Sequence, residues 1–288
     1  MAKNDKKPKG KLIAIGGKEA RSPDEGMLAG SSENAASNGG SILNHVLAEM
    51  NGRESRIEIL TTASEQPSEM AEMYIKAFEK LGCTDVGILD LDGRNVDSKQ
   101  ALERLYAADG LFITGGDQAR LMEKLRGSEF LKTIEQRYQN DNFTIAGTSA
   151  GAMALSGVMI SEGESTESLL KGIVELSKGF GLLPDAVIDT HFMSRGRFSR
   201  LTEAILMHEG YTALGICENT ALVVGEGGLL RVIGAGVVMV LEAGHVKTTN
   251  FREAKKGQAI YVENIQIHIL AQGAMYSLSE KKFLPPKA

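Results

Sequence analysis

The chain has 288 residues, 42% hydrophobic and 24% charged, the balance of an ordinary soluble globular protein. Its net charge of −5 argues against a general basic surface for nucleic acid, and no apolar run approaches the roughly 18 residues that a membrane span needs. Two cysteines, Cys83 and Cys217, are too few for a disulfide framework and read as small buried thiols.

The N-terminus, "MAKNDKKPKGK", is basic but has no apolar core segment. It reads as a disordered tail over residues 1–10 of a cytoplasmic protein, not as a secretory signal. "KLIAIGG" is a short buried strand ended by glycines, and residues 20–40 are small and polar, a long loop. "SILNHVLAEM" has helical spacing. "SRIEILTTAS" is a strand, and "SEMAEMYIKAFEKLG" is an amphipathic helix that Gly82 should cap. "DVGILDL" (strand), "SKQALERLYAA" (helix) and "GLFITGGD" (strand) follow, then one or two helices in "QARLMEKLRGSEFLKTIEQRYQND". "FTIAGTSAGAMAL" is a strand running into a helix. Strands rich in Ile, Val and Leu alternating with helices predict an α/β fold, a mostly parallel doubly wound sheet flanked by helices. Beyond about residue 215 the pattern turns to short strands joined by glycine turns, a C-terminal antiparallel β extension. Residues 11–288 are expected to form one hydrolytic domain.

"GTSAG" is G-x-S-x-G between a predicted strand and a predicted helix, the context a nucleophile elbow needs. Gly147 and Gly151, with Ala150 and Ala152, let the backbone pass close to Ser149, and the N–H of Ala150 is a ready oxyanion donor. The alternative is a serine N-cap with small packing neighbours. A nucleophilic serine needs a base. Of the five histidines, His45 lies in an amphipathic helix, His208 near a helix end, His245 in a turn and His268 in a strand. His191 follows the strand "AVIDT", at the carboxyl end where α/β sheets carry their sites. Glu218, in "GICENT", ends another strand and can orient an imidazole, or simply be solvated. No H-x-x-x-H or C-x-x-C pair suggests a metal, and no cofactor is expected.

"TGGDQ" (114–118), "AGTSAGA" (146–152), "DTHF" (189–192), "RGRFSR" (195–200) and "GICENTA" (215–221) occur in order and together resemble the cyanophycinase family of serine-type exopeptidases. That family is related to aspartyl dipeptidases and has a fold similar to class I glutamine amidotransferases. The resemblance implies Ser149 as nucleophile, His191 as general base and acid, and Glu218 as the orienting carboxylate. It implies a polyaspartate substrate bearing arginine on each β-carboxyl, cut to β-aspartyl-arginine dipeptides, with a homodimer as the expected assembly. Against that substrate, Arg195, Arg197 and Arg200 are candidate carboxylate clamps. Asp117, Gln118, Asp189 and Thr190 are candidate contacts for guanidinium or peptide, and Gly116 is a second oxyanion donor. One departure stands out: the family carries glutamine where this chain has Thr190. The alternatives are a dipeptidase acting on aspartyl or isoaspartyl peptides and, from another class, an inactive amidotransferase-like binding domain.

Overall fold

The computed structural model describes residues 7–19, 41–163, 165 and 168–286. The predicted loop over residues 20–40 and the first six residues of the predicted tail lie outside them. Within the rest of that tail, Lys9 and Gly10 already donate backbone hydrogen bonds to the carbonyls of Gln139 and Tyr138.

The first half of the chain alternates as its pattern predicts. Strand β1 (Lys11–Ile15) is followed by α1 (Ile42–Ala48), β2 (Ile57–Leu60), α2 (Pro67–Lys80), β3 (Val86–Leu89), α3 (Lys99–Ala107) and β4 (Gly110–Ile113). Helices α4 (Gln118–Leu125) and α5 (Glu129–Asn140) come next, separated at Gly127, then β5 (Thr144–Thr148) and the short α6 (Ala150–Ala154). Local chemistry sets these boundaries. Proline opens α2, and Ser98 and Ser128 accept N–H bonds from Ala101 and Leu131 as the caps of α3 and α5. At the far end of α2, Gly82 takes a φ of +87°, and the N–H groups of Gly82 and Cys83 reach back to the carbonyls of Glu79 and Phe78. That is the closure the sequence predicts at Gly82.

The remaining elements are β6 (Val158–Glu162), β7 (Glu175–Lys178), β8 (Ala186–Asp189), α7 (Phe198–Met207), β9 (Thr212–Ile216), β10 (Thr220–Val224), β11 (Leu229–Gly234), β12 (Val238–Glu242), β13 (Thr248–Thr249), β14 (Val262–Glu263), β15 (Gln266–Leu270), β16 (Met275–Ser277) and β17 (Lys282–Leu284). The central sheet runs β17-β16-β11-β10-β1-β5-β4-β2-β3. Its half from β1 to β3 is parallel throughout and its half from β1 to β17 antiparallel. The antiparallel extension does more than lengthen this sheet. After residue 215 the chain alternates between two sheets, because β12 and β15 join β9 and β8 in a second one ordered β15-β12-β9-β8.

Strand alternation divides the core between the two faces of the central sheet. Leu12, Ala14, Leu111 and Ile113 belong to one apolar cluster, with α3 to α7 and the second sheet. Ile13, Ile15, Phe112 and Ala146 belong to another, under α1 and α2. Burial on both faces is why these strands read as continuous apolar runs. Among the described residues no helix is long and apolar enough to cross a membrane.

Candidate active site

The carboxyl ends of β1, β5 and β8, with the β9–β10 turn, converge on Ser149. This serine sits between β5 and α6 with φ 53° and ψ −114°, a conformation that non-glycine residues adopt only under constraint. Its side chain makes no capping bond to α6, so the N-cap alternative does not hold. The flanking glycines are steric necessities. A Cβ on Gly147 would lie 2.5 Å from the backbone of Gly151, and one on Gly151 would lie 2.4 Å from the carbonyl of Ile113. The strained turn leaves Oγ of Ser149 3.0 Å from Nε2 of His191.

His191 lies two residues beyond the end of β8, is 5% exposed, and also has a positive φ, 49°. Its Nδ1 donates to Oε1 of Glu218 at 2.7 Å, which leaves the lone pair of Nε2 facing the serine hydroxyl. Burial is the main reason its pKa falls below the ordinary histidine value; the cations of Arg195 and Arg197 reinforce the drop, and Glu218 opposes it. Burial alone would raise the pKa of Glu218. Hydrogen bonds from His191, Lys18 and Ser194 outweigh it and hold this carboxyl at about 2. The site at neutral pH therefore pairs a free-base imidazole with a carboxylate.

From the sequence, residues 15–17 read only as the end of a strand and Lys18 and Glu19 carry no assignment, yet the segment braces this relay. Ile15 O accepts the N–H of Ser149 at 3.0 Å, Gly16 O that of His191 at 2.9 Å, and Gly17 O that of Asn219 at 2.9 Å. Gly17 has a φ of +94°, and a Cβ there would sit 2.4 Å from Cε1 and Nε2 of His191. Lys18 Nζ lies 3.1 Å from Oε1 of Glu218. Glu19, nearly fully buried, accepts from the Thr148 hydroxyl at 2.8 Å and the Tyr74 hydroxyl at 2.5 Å. The glycine pair in "AIGG" was the one available signal. Nothing local to Lys18, Glu19 or Ser194 marked them.

The expected substrate contacts divide. Asp189 is fully buried, and its carboxylate accepts from Arg197 at 3.0 Å, from Arg200 at 2.6 and 2.5 Å, and from the N–H of Thr190 at 2.9 Å. Arg200 spends its remaining Nη1 on the carbonyl of Gly163. These two expectations are corrected: their charges saturate each other inside the protein, and neither side chain is open to a ligand. Arg197 is drawn into the same pair and also donates to the carbonyl of Thr190. Thr190 is fully buried, with Oγ1 unpartnered among the described residues, so it too is no surface contact. The amide of Gln118 is taken by the carbonyls of Ile160 and Ser161, tying α4 to β6. Asp117 is exposed; one carboxylate oxygen caps α4 through Ala119 and Arg120. With Gly116, Ser64, Glu65 and Gln66 it lines a cleft of about 450 Å³. Arg195 alone of the three arginines is exposed.

Gly116 takes a φ of +142°, and a Cβ there would clash with the carbonyl of Ala63, so only glycine fits. Its neighbour Gly115, not singled out from the sequence, faces the serine: a Cβ there would lie 3.4 Å from that of Ser149. The N–H of Ala150, first in α6, opens the helix beside the Oγ. Among the described residues, no group of three or more His, Cys, Asp or Glu side chains is placed to hold a metal ion.

The family model described as "Peptidase family S51" matches residues 27–232. A cyanophycinase of Trichormus variabilis is 34% identical over 248 residues, covering 86% of this chain and 83% of that protein. One of Synechococcus elongatus is 32% identical over 284 residues, covering 96% and 84%. In three dimensions, the crystal structure of a peptidase from an acI-B1 Actinobacterium aligns with a TM-score of 0.65 at 19% identity, covering 94% of this chain and 98% of that one.

Proposed function

The chain belongs to peptidase family S51, and from that premise we propose that it is a serine-type exopeptidase that hydrolyses cyanophycin, arginylated polyaspartate, to β-aspartyl-arginine dipeptides. The relay from Ser149 through His191 to Glu218, at 3.0 and 2.7 Å, is the observation that carries the reading. The substrate is carried by the cyanophycinases that match most of the chain.

In this reading Ser149 Oγ attacks the scissile carbonyl carbon while Nε2 of His191 takes its proton. The imidazolium is stabilised by Glu218. The negative charge on the former carbonyl oxygen is received by the N–H of Ala150 and that of Gly116. Collapse breaks the C–N bond, and His191 returns the proton to the leaving amine. The acyl ester on Ser149 is then cut by water, which gives one proton to His191 as its oxygen bonds the acyl carbon; that proton returns to Oγ as the acid product leaves. Arg195, exposed and close to His191, is the arginine that takes a substrate carboxylate. The reading includes one hydrolytic domain over residues 11–288, working as a cytoplasmic homodimer. Cys83 and Cys217 are free buried thiols, as a reducing compartment allows.

Incubation with insoluble cyanophycin, with mass analysis of the soluble product, tests the proposal. Release of β-aspartyl-arginine is the expected result. Cleavage of isoaspartyl dipeptides without attack on the polymer would establish the dipeptidase reading instead, and inertness toward both would leave the binding-domain reading.

A further inference from the structure

Lys18 has no part in the reaction derived above, yet its place is tightly specified. Its Nζ lies 3.1 Å from the one carboxylate oxygen of Glu218 that also accepts Nδ1–H of His191 at 2.7 Å and Oγ–H of Ser194 at 3.0 Å. Its backbone is held at φ 43°, a left-handed conformation that a side-chain-bearing residue adopts only when its surroundings impose it. They do so from both sides. Gly17 before it is fastened to Asn219 and pressed against the imidazole, and Glu19 after it is buried against Thr148 and Tyr74. The ammonium therefore reaches Glu218 from a pinned main chain.

We propose that Lys18 is a positioning residue that balances the charge of the His191–Glu218 pair, its ammonium sharing Oε1 of Glu218 with the imidazole. The inference rests on the reading of His191 as the general base. A carboxylate serving only an imidazole favours the imidazolium strongly; one shared with a second cation favours it less. The Lys18 ammonium and the imidazole meet on one oxygen, so they lie within about 6 Å of each other. The other charged groups around the imidazole are Arg195 and Arg197, from the segment after β8, and they act in the same direction. Lys18 differs in acting through the orienting carboxylate itself. Two unit charges at that separation, in a half-solvated medium, move a titration by about half to one pH unit.

The test is titration of the His191 imidazole by NMR in wild type, K18M and K18R, with the resonance assigned by its loss in H191A. This readout needs no substrate. The midpoint should rise in K18M by about half to one pH unit and return to within about 0.2 unit of wild type in K18R. The acid limb of kcat/KM should move with it. K18Q supplies a second neutral side chain should K18M melt early. A midpoint unchanged in both neutral variants overturns the proposal. So does a fall in kcat/KM at every pH with no change of midpoint, which would make Lys18 a substrate contact. A shifted midpoint in a protein without peptidase activity would uphold the charge balance and refute the general-base reading separately.

Discussion

Replacing Gly17 by alanine tests whether the end of β1 holds the catalytic geometry. The new methyl would lie 2.4 Å from Cε1 and Nε2 of His191, against an ordinary separation of about 3.5–4.0 Å. The methyl is fixed to the backbone and the strand behind it is buried, so the imidazole must give way by about 1 Å or more. Nε2 now sits 3.0 Å from Oγ of Ser149, and a retreat of that size takes it outside hydrogen-bond range. A displacement of about 1 Å in reacting groups costs on the order of 100-fold in rate. Alanine at a φ of +94° adds a backbone penalty of about 1–2 kcal/mol, or about 2–8 °C in Tm. Gly52 supplies the control. It also has a positive φ, +63°, but nothing lies within 4 Å of its missing Cβ. Gly52→Ala should lose similar stability and keep its rate. Steady-state kinetics on the soluble product and thermal melts by circular dichroism give both numbers. A Gly17→Ala enzyme with wild-type kcat/KM, or a Gly52→Ala enzyme that loses as much activity, would refute the argument.

Ser149→Ala should fold as wild type, since alanine suits an elbow of small residues, and lose at least about 1000-fold in kcat/KM; measurable turnover near the wild-type rate removes serine catalysis. The lowered pKa of His191 places the rising limb of kcat/KM against pH below the ordinary histidine value of about 6.5. The same shift means that the unfolded chain holds that proton more tightly. This contribution to stability is complete above about pH 6.5 and is lost as pH falls through the lowered value; a melt that strengthens on acidification would contradict it. Arg195→Ala should lower kcat/KM by about 10- to 100-fold at unchanged Tm. Asp189→Ala should instead destabilise by about 3–5 kcal/mol, because it strands two buried guanidinium groups. The reverse pattern would return Asp189 to the binding surface.

Much of the frame could be read before any coordinates, for identifiable reasons. Buried parallel strands must be apolar on both faces, so "KLIAI", "IEIL" and "TIAGT" announced themselves. A helix stopped by a left-handed glycine has one signature, and Gly82 carried it. Ser149 was legible because its elbow needs small residues on both sides within five positions. The exchange of strands between two sheets after residue 215 was not legible. Each strand there has the same short apolar pattern, and nothing in β10 or β12 says which neighbour it will choose. The segment 15–19 was not legible because three of its residues work through backbone carbonyls and Gly17 through an absent side chain. Lys18 and Glu19 meet partners far away in the chain, at Glu218 and at Tyr74 and Thr148.

The misreading of the arginine cluster has a different cause, which bears on how the pocket is built. Asp189, Arg197 and Arg200 have the residue types and the proximity to the histidine that a site for carboxylates and guanidinium groups requires. An internal ion pair requires the same things, because a bidentate fork binds a protein carboxylate and a substrate carboxylate with one geometry. What separates the two is burial. Asp189 is the fully buried last residue of β8, and α7 folds Arg200 back over it. The pair thereby fixes the segment between β8 and α7, which carries His191, Ser194 and Arg195. Two arginines expected to hold substrate are instead spent on holding the loop that presents the third. The unpaired positive charge beside the histidine then comes from exposed Arg195, since Lys18 is paired with Glu218, while Asp189 offsets one of the two guanidinium charges folded over it. A substrate carboxylate arriving at Ser149 would meet one open cation, Arg195 on the loop after β8, because the Lys18 ammonium at the end of β1 is already paired with Glu218.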